Sequence, residues 1–153
     1  GLYISEAISL IGKDATYDLV DISASSLDMA RKLVNNDQVS YFLSDIFKYH
    51  PGKKYDFITM GEVLEHVEDP VSLLLALKEL LNDNGKIFIT TPTNAPTIDH
   101  IYLFRNIGDI KEIIDQAGLK AESEIYLCAE DVEPEVAERF KISFLYGGLL
   151  QKK

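Results

Sequence analysis

Glu62, Glu65 and His66 stand at i, i+3 and i+4 in the stretch Tyr55-Asp-Phe-Ile-Thr-Met-Gly-Glu-Val-Leu-Glu-His-Val-Glu-Asp-Pro70. On one turn of helix, side chains at that spacing project to the same side. Two carboxylates and an imidazole so placed are open to three uses. The acids can sit at a helix start, where the macrodipole favours them, with His66 hydrogen-bonded locally. His66 can serve as a general base on a substrate hydroxyl or amine, because imidazole titrates near neutrality. Alternatively, Glu62, Glu65 and His66 can ligate a divalent metal through oxygen and nitrogen donors.

Two further histidines need placing. His100 lies in Thr97-Ile-Asp-His-Ile-Tyr-Leu-Phe104, where it is a second base, a fourth ligand or a surface residue. His50, beside Pro51-Gly52, reads as part of a turn. Tyr49 and Lys53 match the Tyr-x-x-x-Lys pair of short-chain dehydrogenases. That chemistry needs one helical face, and Pro51-Gly52 between the two residues breaks it.

The elements around the trio follow from pattern. Phe57-Ile-Thr-Met60 reads as a buried strand ending at the small residue Gly61, and Asp69-Pro70 supplies an N-cap and first residue for the next helix. Polar groups just past the carboxyl end of a strand occupy the position where open α/β sheets bind ligands. Helical spacing covers residues 2–11, and Ala15 to Val20 reads as a strand ending at Asp21. Ser25-Ser-Leu-Asp28 fits a capping box ahead of Met29 to Val34. Val39 to Leu43 is a short strand ending at Ser44-Asp45. The leucine periodicity predicts a helix over 70–82, ended by Asn84-Gly85. Lys86 to Thr91 reads as a strand stopped by Pro92, 106–118 as helix and 119–127 as strand. The acidic segment 129–138 reads as a surface loop, and Phe140 to Leu150 as the last strand. Such alternation predicts an α/β fold with a largely parallel sheet covered on both faces.

Bulk properties narrow the field. A chain of 153 residues with 46% hydrophobic and 26% charged residues fits one soluble domain, residues 1–153. No apolar run approaches the ~20 residues of a membrane span. A lone cysteine, Cys128, leaves no intrachain disulfide, and the expected address is cytoplasmic. The 15 basic residues against 25 acidic ones give a net charge of −10, which disfavours a nucleic-acid partner.

Taken together, these residues resemble the class I S-adenosylmethionine-dependent methyltransferases, most closely the ubiquinone-biosynthesis O-methyltransferase type. Val20-Asp-Ile-Ser23 is similar to the end of that family's second strand, and Ser44-Asp45-Ile46 to the end of its third. Glu62 to His66 matches the block after strand four, and Asn84-Gly85-Lys86 to Pro92 the strand-five segment. The resemblance implies a Rossmann-like methyltransferase fold with a reversed last strand. It implies that Asp21 holds the cofactor ribose, with Ile22 on the adenine face, and that Asp45 with Ile46 meets the adenine. Met60 and Gly61 would line the sulfonium end. Two hydroxyl donors do call for an acceptor-only group such as Asp21; an ordinary strand–helix turn is the alternative use of both acids.

The chain departs from the family at one point. The family's first strand and its G-x-G-x-G loop have no counterpart here. Gly1 stands twenty residues before Asp21, the family's interval from the final loop glycine to the ribose acid. The expectation is therefore a domain whose central first strand lies upstream of Gly1. The implied activity is transfer of the methyl group of S-adenosylmethionine to an oxygen or nitrogen of a small molecule, leaving S-adenosylhomocysteine, with His66 or His100 as base. The rivals are a metal-dependent methyltransferase acting on a nucleic-acid end and a non-catalytic binding protein of the same fold.

Overall fold

A computed structural model describes residues 2–11, 14–128 and 132–153. Gly1, the expected motif glycine, lies outside them. The chain divides into two units, Gly1–Pro51 and Gly52–Lys153.

The first unit holds α1 (Leu2–Ile11), β1 (Tyr17–Asp21), α2 (Ala24–Val34), β2 (Val39–Leu43) and a 3₁₀ turn at Ile46–Lys48. β1 and β2 pair in parallel, from Tyr17 opposite Val39 to Asp21 opposite Leu43. Both strands therefore end at one edge, and Asp21 and Asp45 sit at or just beyond it. The passage from β1 to α2 takes two residues. Asp21 Oδ1 accepts from the Ser23 amide at 2.8 Å, and Ser23 Oγ caps the helix by accepting from the Ser26 amide at 3.3 Å. The N-cap is thus Ser23 rather than the expected Ser25, because the Asp21 turn brings the chain into helix earlier. Asp28 instead pairs with Arg31 one turn on.

The second unit holds β3 (Tyr55–Gly61), a 3₁₀ turn (Leu64–His66), α3 (Pro70–Leu80), β4 (Leu81–Thr93), α4 (Ile107–Gln116), β5 (Leu119–Cys128), α5 (Pro134–Phe140) and β6 (Phe144–Lys152). Its sheet runs β3-β4-β6-β5, with β3 and β4 parallel. β6 is antiparallel to both of its neighbours, so the last strand is reversed as expected. Leu73, Leu74 and Leu77 of α3 and Ile87 and Ile89 of β4 are buried, each such side chain contributing about 1.5–3 kcal/mol.

Several boundaries differ from expectation for identifiable reasons. α3 stops at Leu80, and β4 begins at Leu81 instead of Lys86. Asn84-Gly85 does not end the helix. It lies in an irregularity where the pairing jumps from Tyr55–Leu81 to Phe57–Lys86. A Cβ on Gly85 would come within 2.8 Å of the Tyr55 carbonyl oxygen, so the close approach needs glycine. Pro92 does not stop β4 either; it pairs with Leu145 of β6. Thr90 O accepts from Glu62 N, so Pro92, two residues on, turns its missing donor to the same side, where β3 has already ended. The acidic segment is not all loop. Pro134 takes the first helical position of α5, Ala137 is buried, and Lys141 ends the helix at φ 55°. β6 accordingly starts at Phe144 rather than Phe140. Among the described residues no helix is long and apolar enough to cross a membrane.

Candidate active site

The chemistry-bearing residues of the second unit gather past the carboxyl end of β3. Gly61 pairs with Thr90, and the Glu62 amide continues the ladder to the Thr90 carbonyl at 3.0 Å. Glu62 then adopts a left-handed backbone, φ 53°, a conformation that costs a non-glycine residue ~1–2 kcal/mol. The expected helical turn carrying Glu62, Glu65 and His66 on one side therefore does not form. A 3₁₀ turn at Leu64–His66 takes its place, anchored by the buried Leu64.

Glu65 is the centre of this turn and is only 1% exposed. Its Oε2 accepts from Thr91 Oγ1 at 2.9 Å, while Oε1 is buried without a partner. Its backbone carbonyl accepts from the Ile101 and Tyr102 amides at 2.8 and 2.9 Å. One residue thus ties the turn to β4 and to the loop at 94–106. That loop delivers His100, whose ring meets the His66 ring edge-on with centroids 4.9 Å apart.

Both imidazoles have their proton position fixed. His66 Nδ1 lies 2.8 Å from the Asp99 carbonyl oxygen, and His100 Nδ1 lies 2.6 Å from that of Ala95. A carbonyl oxygen only accepts, so each Nδ1 carries hydrogen and each neutral ring presents a lone pair at Nε2. His66 Nε2 stands 3.9 Å from the orphaned Glu65 Oε1. With the His66 ring neutral, two acceptors face each other across that gap; with the ring protonated, the same contact is an ion pair. The arrangement is electrostatically incomplete until a positive charge, a proton or a cation, enters it.

The structure therefore brings together Glu65, His66 and His100, whose ligating atoms all lie within 4.8 Å of one another. Glu62 is not in that closest group, though its carboxyl feels all three. Burial, and then the charge of Glu65, push it above the ordinary carboxylate range. The Thr90 hydroxyl's hydrogen bond and the two imidazoles act in the opposite direction. Met60, buried, and Gly61 end the strand beneath the cluster.

In the first unit, Asp21 ends β1, and Asp45 caps the turn after β2, its Oδ1 accepting from the Phe47 amide at 3.0 Å. Ile22, beside Asp21, is 76% exposed. An apolar side chain held out beside two carboxylates at one sheet edge offers a surface for a flat ring and acceptors for its polar edge. Ile46 begins the same turn as part of the 3₁₀ element and is half-buried.

A family profile described as a methyltransferase domain matches residues 3–124. The chain belongs to the methyltransferase-domain family. More specifically, it is of the class I S-adenosylmethionine-dependent kind. A ubiquinone biosynthesis O-methyltransferase of Xanthomonas euvesicatoria pv. vesicatoria is 32% identical over 101 residues, covering 63% of this chain and 41% of that protein. Its counterpart in Thiobacillus denitrificans is 35% identical over 98 residues, covering 60% and 40%. The chain therefore spans about two fifths of the length of the curated relatives it matches. Among solved structures, an S-adenosylmethionine-dependent methyltransferase from Leishmania major superposes with a TM-score of 0.64 at 17% identity, covering 88% of this chain and 55% of that one. At that identity the likeness shows the methyltransferase fold.

The sequence did not single out Asn94, whose backbone is left-handed at φ 49° and whose side-chain nitrogen is buried without a partner. The turn-like string Thr93-Asn-Ala-Pro96 was the available signal.

Proposed function

We propose that the whole protein transfers the methyl group of S-adenosylmethionine to a hydroxyl or amine of a small molecule, with oxygen favoured by the names of its curated relatives. The observation that carries this reading is the pair of bare imidazole nitrogens against the orphaned, buried Glu65 Oε1. S-adenosylmethionine supplies a methyl on a sulfonium sulfur, which is electrophilic enough to need no further activation. The residues have to orient the acceptor, exclude water and take its proton. His66 Nε2 takes the proton as the acceptor oxygen bonds to the methyl carbon and the carbon–sulfur bond breaks, its electron pair leaving with the sulfur of S-adenosylhomocysteine. The imidazolium so formed faces Glu65, whose carboxylate stabilises it. His100 is the alternative base, differing from His66 in lacking that carboxylate contact. By resemblance, Asp21 takes the ribose hydroxyls, Asp45, Ile22 and Ile46 the adenine, and Met60, Gly61 and Gly1 the amino-acid and sulfonium end.

The same electrostatic gap supports a second reading. A divalent cation held by Glu65, His66 and His100, with Glu62 in reserve, would satisfy Oε1 and both Nε2 atoms. It would lower the pKa of a bound acceptor hydroxyl and replace the base. Turnover by the whole protein with EDTA, and then with Mg²⁺, Mn²⁺ or Zn²⁺ restored, separates the two. Undiminished turnover under chelation together with a large loss in His66→Ala establishes the base. Loss under chelation that metal restores establishes the cation. Full activity in both conditions and in His66→Ala and His100→Ala would remove the cluster from the chemistry.

A further inference from the structure

The loop that presents His100 also walls a cavity of about 790 Å³, within the range of small-molecule sites. Asn94 and Arg105 come from the loop, and Glu135, Glu138, Arg139 and Lys141 from α5 and its end; Pro96 and Leu103 add apolar surface. Ala95, between Asn94 and Pro96, accepts from His100 Nδ1 at 2.6 Å. The cavity and the imidazole pair thus share one short stretch of backbone.

The charge of this cavity opposes that of the molecule. The chain has a net charge of −10, yet three of its 15 basic residues line this one space. Glu135 and Glu138 stand beside them and offset part of that charge, three cations facing two acids. Glu138 also holds the start of α4, its Oε1 accepting from the Ile107 amide at 2.8 Å. Among the described residues no ion pair joins Arg105, Arg139 or Lys141 to a carboxylate. A second cavity of about 260 Å³ is lined by Glu68, Asp69, Asp109 and Glu112 with no cation, the opposite of the first. Cations with no paired carboxylate, gathered in one cavity of an acidic chain, suit an anionic oxygen.

We propose that this cavity binds the acidic group of the methyl acceptor, a carboxylate or a phosphate, so that the substrate is an anionic small molecule. This rests on the methyl-transfer reading for the word acceptor, but the anion site itself can be tested without turnover. The whole protein is titrated at low salt with phenol, 4-hydroxybenzoate and 4-hydroxyphenyl phosphate, followed by calorimetry or amide NMR shifts. S-adenosylhomocysteine is titrated separately. The acidic probes should bind at least about tenfold more tightly than phenol, and the stronger of the two names the group. That advantage should shrink as salt rises, vanish in Arg105→Gln/Arg139→Gln and survive largely in Arg105→Lys/Arg139→Lys. Lys141→Gln, a separate single change, should reduce it in the same direction. Phenol binding as well as the acidic probes, or a preference that persists in the double Gln variant, overturns the anion site. Failure of S-adenosylhomocysteine to bind would instead count against the methyl-transfer reading, and the anion titration would still decide this one.

Discussion

Glu65 shows how one residue can be structural and chemical at once. Its carbonyl and Oε2 hold the turn against β4 and the 94–106 loop, while Oε1 is left facing His66. Removing its charge should therefore affect activity more than fold. Glu65→Gln retains the shape and the acceptor for Thr91, and it is expected to lower kcat by one to two orders of magnitude, about 1.4–2.8 kcal/mol of transition-state stabilisation. A kcat within twofold of the parent protein, with the fold intact, would remove the carboxylate from the mechanism. Asp21 makes a second claim at this scale. Asp21→Ala should weaken S-adenosylhomocysteine binding by ~1–3 kcal/mol, the usual cost of losing a charge-assisted hydrogen-bond pair. Calorimetry on the whole protein checks it. Residue identities at this site were legible because Glu65, His66 and His100 are chemistry-bearing types near a strand end. Their grouping was not. The left-handed backbone at Glu62 replaces a helical turn with a 3₁₀ turn, and no helix-spacing argument anticipates a positive φ at a glutamate.

At the scale of elements, the second unit is held by close contacts that the sequence states only indirectly. Gly148 of β6 packs under Tyr146, whose hydroxyl would lie 2.6 Å from an added Cβ. Gly148→Ala should cost ~1–3 kcal/mol, read as a lower midpoint in thermal or denaturant unfolding. The Tyr146 hydroxyl donates to Glu124 at 2.9 Å, and Glu124 pairs with Lys111 of α4 at 3.0 Å, linking β6, β5 and α4. Burial works to raise the Glu124 pKa, but the hydrogen bonds from Lys111 and Tyr146 outweigh it, and the net shift is downward. A carboxylate lowered by folding contributes stability above its unfolded pKa and loses it as pH falls through the folded one. Glu124→Gln should be less stable at neutral pH and should lose less on acidification below about pH 4.5, near the unfolded Glu pKa. Parallel acid limbs for the two proteins would contradict that role.

The element boundaries divide by the strength of their signal. α1, β2 and β5 were legible within a residue or so because nothing competed with their periodicity. The leucines of α3 run through Leu80 and Leu81, so the switch to strand is invisible to a helical period. α5 hides in an acidic segment whose one helical cue is Pro134 at the first position. The basic cavity was not legible either, because Asn94, Arg105, Arg139 and Lys141 come from segments far apart in the chain.

At the scale of the molecule, both sheets end in strands that lack a strand partner on one side among the described residues. Among the described strands β1 bonds only to β2, and β3 only to β4. Apolar side chains stand exposed on these strands or just beyond them, including Ile22, Leu43 and Phe57. Edges of this kind recruit other chains. The 153-residue chain expressed alone is expected to self-associate, and a monodisperse monomer in sedimentation at micromolar concentration would count against it. The larger claim is that the protein built on this chain handles S-adenosylmethionine, and binding of its product tests that without knowledge of the acceptor. Titration of S-adenosylhomocysteine into the whole protein should give saturable one-to-one heat with a dissociation constant at or below the micromolar range, about −8 kcal/mol or stronger. No heat and no rise in unfolding temperature at millimolar S-adenosylhomocysteine would contradict the account.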